Sequence, residues 1–429
     1  MYNKIPFTSS STTTTSSSSS PPVGSSPSAA ELERSAVVVR HPALAPGRDD
    51  FSDLFVPGVV VEPMYIPADR NLNDMRLMWH YTASTYTSLS SWTGFEPRVA
   101  RLLRVNLLEY AFHTPFLMDG LLGLTAMHMN YLERPDTPTR LASMYRARAM
   151  AGYRKAIEEA DPKTFPALLV SSLVICGLSS AEFRGPDAKP LYVLDWMTVW
   201  RGIGLIIQLT KLPAVAESGL AVLFYRPEID LDASATYVPS NLLFMVSSIP
   251  ASDPDFPHMD TYYTALKFLG SLYRELTDNG FGPILDLRII VFLSFTSLEF
   301  LELARAHRPR AAIIVAHYLV FLKLVGAVWW MSDIPDREIK NVADLVGPGP
   351  GGLSGFMRVP RAALKMTEAQ ELARLLLNNH EWQPPAEEKV EQPAWPVRSF
   401  VDNTGMPMKL PEVGRMEDGF IFKTEEDGR

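Results

Sequence analysis

The side chains best able to do chemistry in this chain are scattered rather than gathered. Asp49, Asp50 and Asp53 form the run D-D-F-S-D. Three carboxylates at i, i+1 and i+4 of a helix can converge on one divalent cation and through it on a diphosphate. This run lies between Pro46-Gly47 and Pro57-Gly58, which oppose a helix, so a solvated acidic turn is expected. The stretch GPGPGGLSG at 347–355 lacks the Lys-Ser/Thr of a phosphate-cradling loop and reads as a flexible connection. Neither G-x-S-x-G nor H-E-x-x-H occurs. The histidines, His41, His80, His113, His128, His258, His307, His317 and His380, never stand three or four residues apart, so no helical metal pair forms. No metal site and no cofactor is expected.

One cysteine, Cys176, sits in an apolar run and reads as a small buried hydrophobe. A lone thiol excludes an internal disulfide or a cysteine-based zinc site built from these residues. His128 and His317 are embedded in apolar helical sequence. Core packing is the default for both, and a polar anchor for a ligand is the functional alternative. The aromatic group Tyr318, Phe321, Trp329 and Trp330 likewise reads as core first, and otherwise as the wall of an apolar cavity beside His317. These six residues are the candidate ligand-binding set; no catalytic residue can be named. Arg140, Arg146, Arg148, Arg154 and Lys155 make the densest basic stretch, but Glu158 and Glu159 follow, as on a solvated helix face.

The elements that must position these groups read as helix after helix. Residues 8–30 are a Ser/Thr/Pro/Gly tract with little apolar surface to offset the entropy of ordering, so 1–73 is expected to be a disordered tract and connector. Helical spacing of apolar residues covers 74–90, 98–111, 139–160 and 191–209. Thr114 followed by Pro115 starts a helix to about 131. Residues 163–182 are apolar nearly all round and belong at the centre. Later helices are expected over 258–277, 283–305, 309–331 and 361–378. The expected architecture is all-α: a single large helical domain, 74–379, of about ten helices, with a loose Pro- and charge-rich tail over 380–429. Two apolar stretches, 165–181 and 311–331, approach the length of a membrane span, but serines in the first and His317 and Lys323 in the second argue for buried helices.

The 429 residues are 47% hydrophobic and 21% charged, which suits a substantial core. The net charge of −8 repels phosphate, so DNA contact would need a local basic patch or a partner. No N-x-Ser/Thr acceptor and no signal-peptide pattern is found, from which an intracellular location is expected.

Three stretches, in order, resemble one family. FHTPFLMDGLLGLTAMHMNYL at 112–132 is similar to an "HPFLL.GILALSALHLA" helix, with His113 one position early because Thr114 intervenes. YRARAMAGYRKAIEEADPKTFPALLVSSLVICGLSSAEF at 145–183 is similar to the next two helices, and FLELARAHRPRAAIIVAHYLVFLKLVGAVWWMSD at 300–333 to an "RP.ALVILAHYAVLL....WW..G" signature. The family is that of fungal zinc-cluster transcription factors of the sterol uptake control type, and the resemblance is to their helical regulatory domain. It implies a six-cysteine zinc module, a serine-rich linker and a helical domain that holds a hydrophobic ligand. The linker-like tract and the helical domain are here; with Cys176 alone, the zinc cluster is expected to be lacking.

Two functions follow. The preferred one is regulatory: a hydrophobic small molecule, sterol-like or a secondary metabolite, is held between helices and alters a partner protein or a second copy of the chain, without direct DNA contact. It would act in the nucleus, the cytoplasm or both, on sterol or secondary-metabolite genes. The alternative is a repurposed enzyme or metabolite-binding protein of a terpenoid or polyketide pathway, in which the cavity orders a reactive chain.

Overall fold

A computed structural model describes residues 72–89, 97–132, 139–185, 188–210, 220–224, 228–326, 328–347 and 352–385, and the backbone of four short strands between 400 and 422. The aspartate run Asp49, Asp50, Asp53 and the serine-rich tract lie outside the described residues, as does 348–351 of the glycine-rich stretch. All described residues belong to one compact unit, Glu62–Arg429.

Helices of eight residues or more are α1 Leu72–Ala83, α2 Pro115–Tyr131, α3 Thr139–Glu159, α4 Phe165–Ser179, α5 Val193–Thr210 and α6 Ser240–Ser247. They continue as α7 Met259–Asp278, α8 Pro283–Phe295, α9 Leu298–Arg305, α10 Pro309–Leu322, α11 Ile334–Val346 and α12 Ala369–Leu377. Shorter helical turns fill many of the connections. The all-α expectation holds for the body. The strands among the described residues form two small antiparallel hairpins in the tail, Phe400–Val401 with Pro407–Met408 and Val413–Met416 with Gly419–Phe422.

Three helices form the centre. Leu117 to His128 in α2, most of α4 and Ala311 to Leu322 in α10 are buried on every side. Such helices carry no polar stripe, so other helices must surround them. Proline sits in the first turn of all three, where its missing N–H costs nothing. By composition the run Pro162–Arg184 is long and apolar enough to cross a membrane, yet 72% of its window is buried inside the protein.

Three expected helices break or end early, 361–378 among them as the short turn Arg358–Ala363 and the separate α12, and two helices, α6 and α11, were not expected. The segment 283–305 breaks at Thr296, whose backbone is extended, and Ser297 caps α9 by accepting from the Phe300 amide at 3.0 Å. The segment 309–331 stops at Leu322; Lys323 then donates to Asp336 (2.6 Å) and to the Ala363 carbonyl (2.7 Å), and the chain turns before a separate 3₁₀ turn at Trp329–Met331. A run apolar on all sides hides such a stop from periodicity. The segment 98–111 is helical but widens into a π-turn at Leu102–Asn106, where the Leu103 carbonyl accepts from the Tyr81 hydroxyl at 2.6 Å. α11 was not anticipated, although Ile334, Ile339 and Val342 line its buried side.

Polar groups tie distant segments together. Arg310 bridges Asp255 (2.8 Å) and Asp253 (2.9 Å), holding the turn before α7 on the start of α10. Arg337 of α11 donates to the carbonyls of Ala188 (2.8 Å) and Lys189 (3.0 Å), just before α5. The neighbouring Glu338, fully buried, accepts from the Val193 amide at the N-terminus of α5 (3.4 Å) and from the Asn341 amide (3.0 Å). A carboxylate there complements the positive end of a helix. Burial nevertheless pushes its carboxyl up to about 7.

Two predictions follow from this packing. A Cβ on Gly270 of α7 would lie 2.3 Å from the Ser234 carbonyl oxygen, whereas one on Gly202 of α5 meets nothing within 4 Å. Gly270→Ala is expected to lower the urea midpoint by the equivalent of roughly 1–3 kcal/mol. Gly202→Ala should raise it by about 0.5–1 kcal/mol through helix propensity. For Glu338, the folded protein retains a proton that the unfolded chain releases near its ordinary value of 4.5, so stability is lost as pH rises from there to about 7. Against Glu338→Gln, the wild type should lose on the order of 3 kcal/mol across that window, measured by urea unfolding at each pH.

Candidate functional site

The six candidate residues do not converge. They divide between a histidine–tryptophan cluster at one end of α2 and a set of packing contacts along α10.

The first cluster is built by the turn Trp329–Met331, which brings two adjacent indoles against the segment following α1. Trp329 Nε1 donates to Ser88 Oγ at 2.9 Å, and Trp330 Nε1 donates to the Ser88 carbonyl at 3.0 Å. The Trp329 ring stacks on His128 with centroids 4.9 Å apart and planes at 13°. His128 Nδ1 lies 3.0 Å from Thr85 Oγ1, and the His80 ring lies 5.3 Å from that of His128. Trp330 turns the other way. It stacks on Trp200 at 6.1 Å and meets the edge of Trp196, whose own Nε1 donates to the Cys176 carbonyl at 2.9 Å. Arg184 closes the turn, donating to the carbonyls of Trp329 and Trp330 at 3.4 Å each. Its guanidinium sits 6.0 Å over the Trp329 ring, and burial lowers its pKa.

The second set radiates from α10. The Tyr318 hydroxyl donates to the Ile289 carbonyl (3.1 Å) and its ring stacks on Phe292 (4.3 Å). Phe321 meets Tyr273 of α7 edge-on at 4.8 Å. His317 faces the 3₁₀ turn Leu353–Met357, with Nε2 2.9 Å from the Phe356 carbonyl. That oxygen can only accept, so Nε2 carries the hydrogen and Nδ1 bears the lone pair. Among the described residues Nδ1 is buried without a hydrogen-bond partner, and burial lowers the imidazole to about 4, leaving it neutral near pH 7.

This chemistry is that of hydrogen-bond acceptors and aromatic surfaces. Burial pushes the Cys176 thiol well above its ordinary value, which makes it a poor nucleophile. Among the described residues, no three His, Cys, Asp or Glu side chains gather as a metal site. The sequence reading passed over Thr85, Ser88 and Arg184. Ser88 lies 241 residues from Trp329, a separation that no local spacing reveals. Trp196 and Trp200 stand one helical turn apart on α5, and only the fold brings them to Trp330. Ser88→Ala should strand the Trp329 indole N–H and cost roughly 1–3 kcal/mol in urea unfolding, while the Trp330 bond to the backbone persists.

No protein-family model matches the chain. Among curated proteins, it is 22% identical over 300 residues to a Zn(2)-C6 fungal-type transcription factor of Gibberella zeae, covering 64% of this chain and 58% of that protein. It is 23% identical over 312 residues to sterol uptake control protein 2 of Candida albicans, covering 67% and 42%. It is 24% identical over 301 residues to sterol uptake control protein 2 of Saccharomyces cerevisiae, covering 65% and 31%. The chain thus spans 31 to 58% of the length of these relatives. Over roughly two thirds of its own length, it is a distant homologue of fungal Zn(2)-C6 transcription factors and sterol uptake control proteins.

Proposed function

We propose that the helical body is the regulatory module of a transcription-regulator-like protein and responds to a hydrophobic small molecule, sterol-like or a secondary metabolite. The observation that carries this reading is the similarity to three fungal regulators over about two thirds of the chain. These 429 residues hold a single cysteine and carry net charge −8, so contact with DNA is supplied from outside them. The module then acts in the nucleus for at least part of the time.

His317 is the residue assigned to anchor the ligand. An apolar ligand with one hydroxyl needs an apolar surround and a single acceptor, and the buried, neutral Nδ1 of His317 offers that acceptor. The turn it faces begins at Gly352, whose φ of 73° suits glycine and gives the chain a tight entry over the histidine. In this role His128, Trp329, Trp330, Tyr318 and Phe321 shape and stiffen the helices around the ligand.

The functional test is a deletion strain in which transcripts of neighbouring genes and the metabolite profile are read from the same culture. Coordinated change in those transcripts is expected. Steady transcripts with one product lost would instead make the protein an enzyme or metabolite carrier. For the anchor, the full chain with His317→Phe should bind the fluorescent sterol dehydroergosterol about tenfold more weakly than wild type. Equal affinity in a folded variant would remove His317 from the site.

A further inference from the structure

The turn that opens α5 is held in a conformation its own residues do not favour. Leu191 has a φ of 57°, in the left-handed region, where a bulky L-residue sits at a cost, and its side chain is buried. The contacts that hold the turn come from α11. Arg337 donates to the carbonyls of Ala188 (2.8 Å) and Lys189 (3.0 Å), and also to that of Phe183, with its guanidinium 5.9 Å over the Phe183 ring. Glu338 takes the far end of the turn, accepting from the Val193 amide at 3.4 Å. Backbone kept in a sparsely populated region by the structure around it is a recurrent feature of switch segments.

Of the two clamping side chains, Glu338 is the one whose charge can change near neutral pH. It is fully buried; Asn341 donates to its Oε1 at 3.0 Å, and Arg337 Nε lies 3.7 Å from the same oxygen. The other charged groups on the surrounding elements have partners of their own or face solvent. On α5, Asp195 is paired with Lys189 (2.9 Å) and Arg305 (3.2 Å). After α4, Glu182 is paired with Arg146, and Arg184 with the carbonyls of the tryptophan turn. At the end of α10, Lys323 is paired with Asp336, and Arg361 donates to the Ala343 carbonyl. Lys340, Asp344 and Arg358 are exposed, and burial raises the Tyr192 hydroxyl and so keeps it neutral. For the Glu338 carboxyl, burial outweighs Arg337 and the two amides, which is why it titrates near 7 instead of 4.5.

We infer that Arg337 and Glu338 form a latch on the first turn of α5, and that ionisation of Glu338 releases this turn while the rest of the body stays folded. Release lets Leu191 leave the left-handed region and lets the carboxylate take up water, so both changes favour opening. The closed turn keeps a proton that the open turn gives up near 4.5. Closure is therefore favoured in mild acid and is lost as pH rises towards 7. Trp196 stands three residues beyond Val193, with Nε1 on the Cys176 carbonyl and its ring edge-on to Trp330. A released turn is thus felt at the tryptophan cluster. The inference stands apart from ligand binding, since His317 and its turn take no part.

The test is hydrogen exchange of the full chain at about pH 5 and pH 7, read by mass spectrometry over residues 190–197 and corrected for the intrinsic rate at each pH. Protection of these amides should fall at least about tenfold between the two. Low urea should leave their exchange unchanged, as for a local opening, whereas exchange in α7 rises with urea. In Glu338→Gln the fall with pH should vanish, and Arg337→Gln should raise exchange over 190–197 at both pH values. Equal protection at the two pH values, a fall that persists in Glu338→Gln, or unchanged exchange in Arg337→Gln overturns the inference. So does exchange over 190–197 that climbs with urea as steeply as in α7, because the turn would then open only with the whole body.

Discussion

A helix that is apolar around its whole circumference has no side to turn to water, and α2, α4 and α10 are all of this kind. The remainder of the body answers that constraint. α3 shields one side of α2, α5 crosses α4, and α7, α8, α9 and α11 enclose α10. Glycine sets how closely the inner layer packs: a Cβ on Gly120 of α2 would meet Val174 of α4 at 3.1 Å, and one on Gly177 of α4 would meet Leu124 at the same distance. Close packing of this kind makes the interior sensitive to single methyl groups and gives it little freedom to slide.

Hydrophobic burial gathers these helices but does not orient them, because it lacks direction. Orientation comes from polar side chains that reach backbone carbonyls far away in sequence. Arg184 closes on the carbonyls of the tryptophan turn, Arg337 on those preceding α5 and the Trp330 indole on that of Ser88, whose hydroxyl accepts from Trp329. Each such bond satisfies a buried donor that would otherwise be costly, and each can be made at one relative placement of the segments it joins. The Trp329–Trp330 turn is accordingly a junction: its left side meets α1 and α2 through His128, and its right side meets α4 and α5 through Trp196 and Trp200. A change in the spacing of α10 would be felt at both.

That arrangement suits a module whose output is conformational. His317 and the tryptophan turn are carried by α10 and the segment just after it, so the residue proposed above as a ligand anchor lies on the same stretch of chain as the junction. The same junction leads through Ser88 to the turn that follows α1.

Much of this architecture was legible before any coordinates. Thr114-Pro115 announced the start of α2, apolar periodicity outlined α3, α5 and α7, and unbroken apolarity placed α4 and α10 at the centre. Those features are local, encoded in neighbours three or four residues apart, which is why sequence determined them. Three ordered motifs likewise pointed to the regulator family. Tertiary structure alone decided where α8 and α10 stop: α10, buried on all sides, shows no periodicity to lose, and α8 gives way to an extended residue at Thr296. It alone separated the six candidate residues into two sets, and it alone supplied Ser88, Arg184 and Glu338 as partners. These are pairings across as many as 242 residues, fixed by how helices cross rather than by which residues are adjacent.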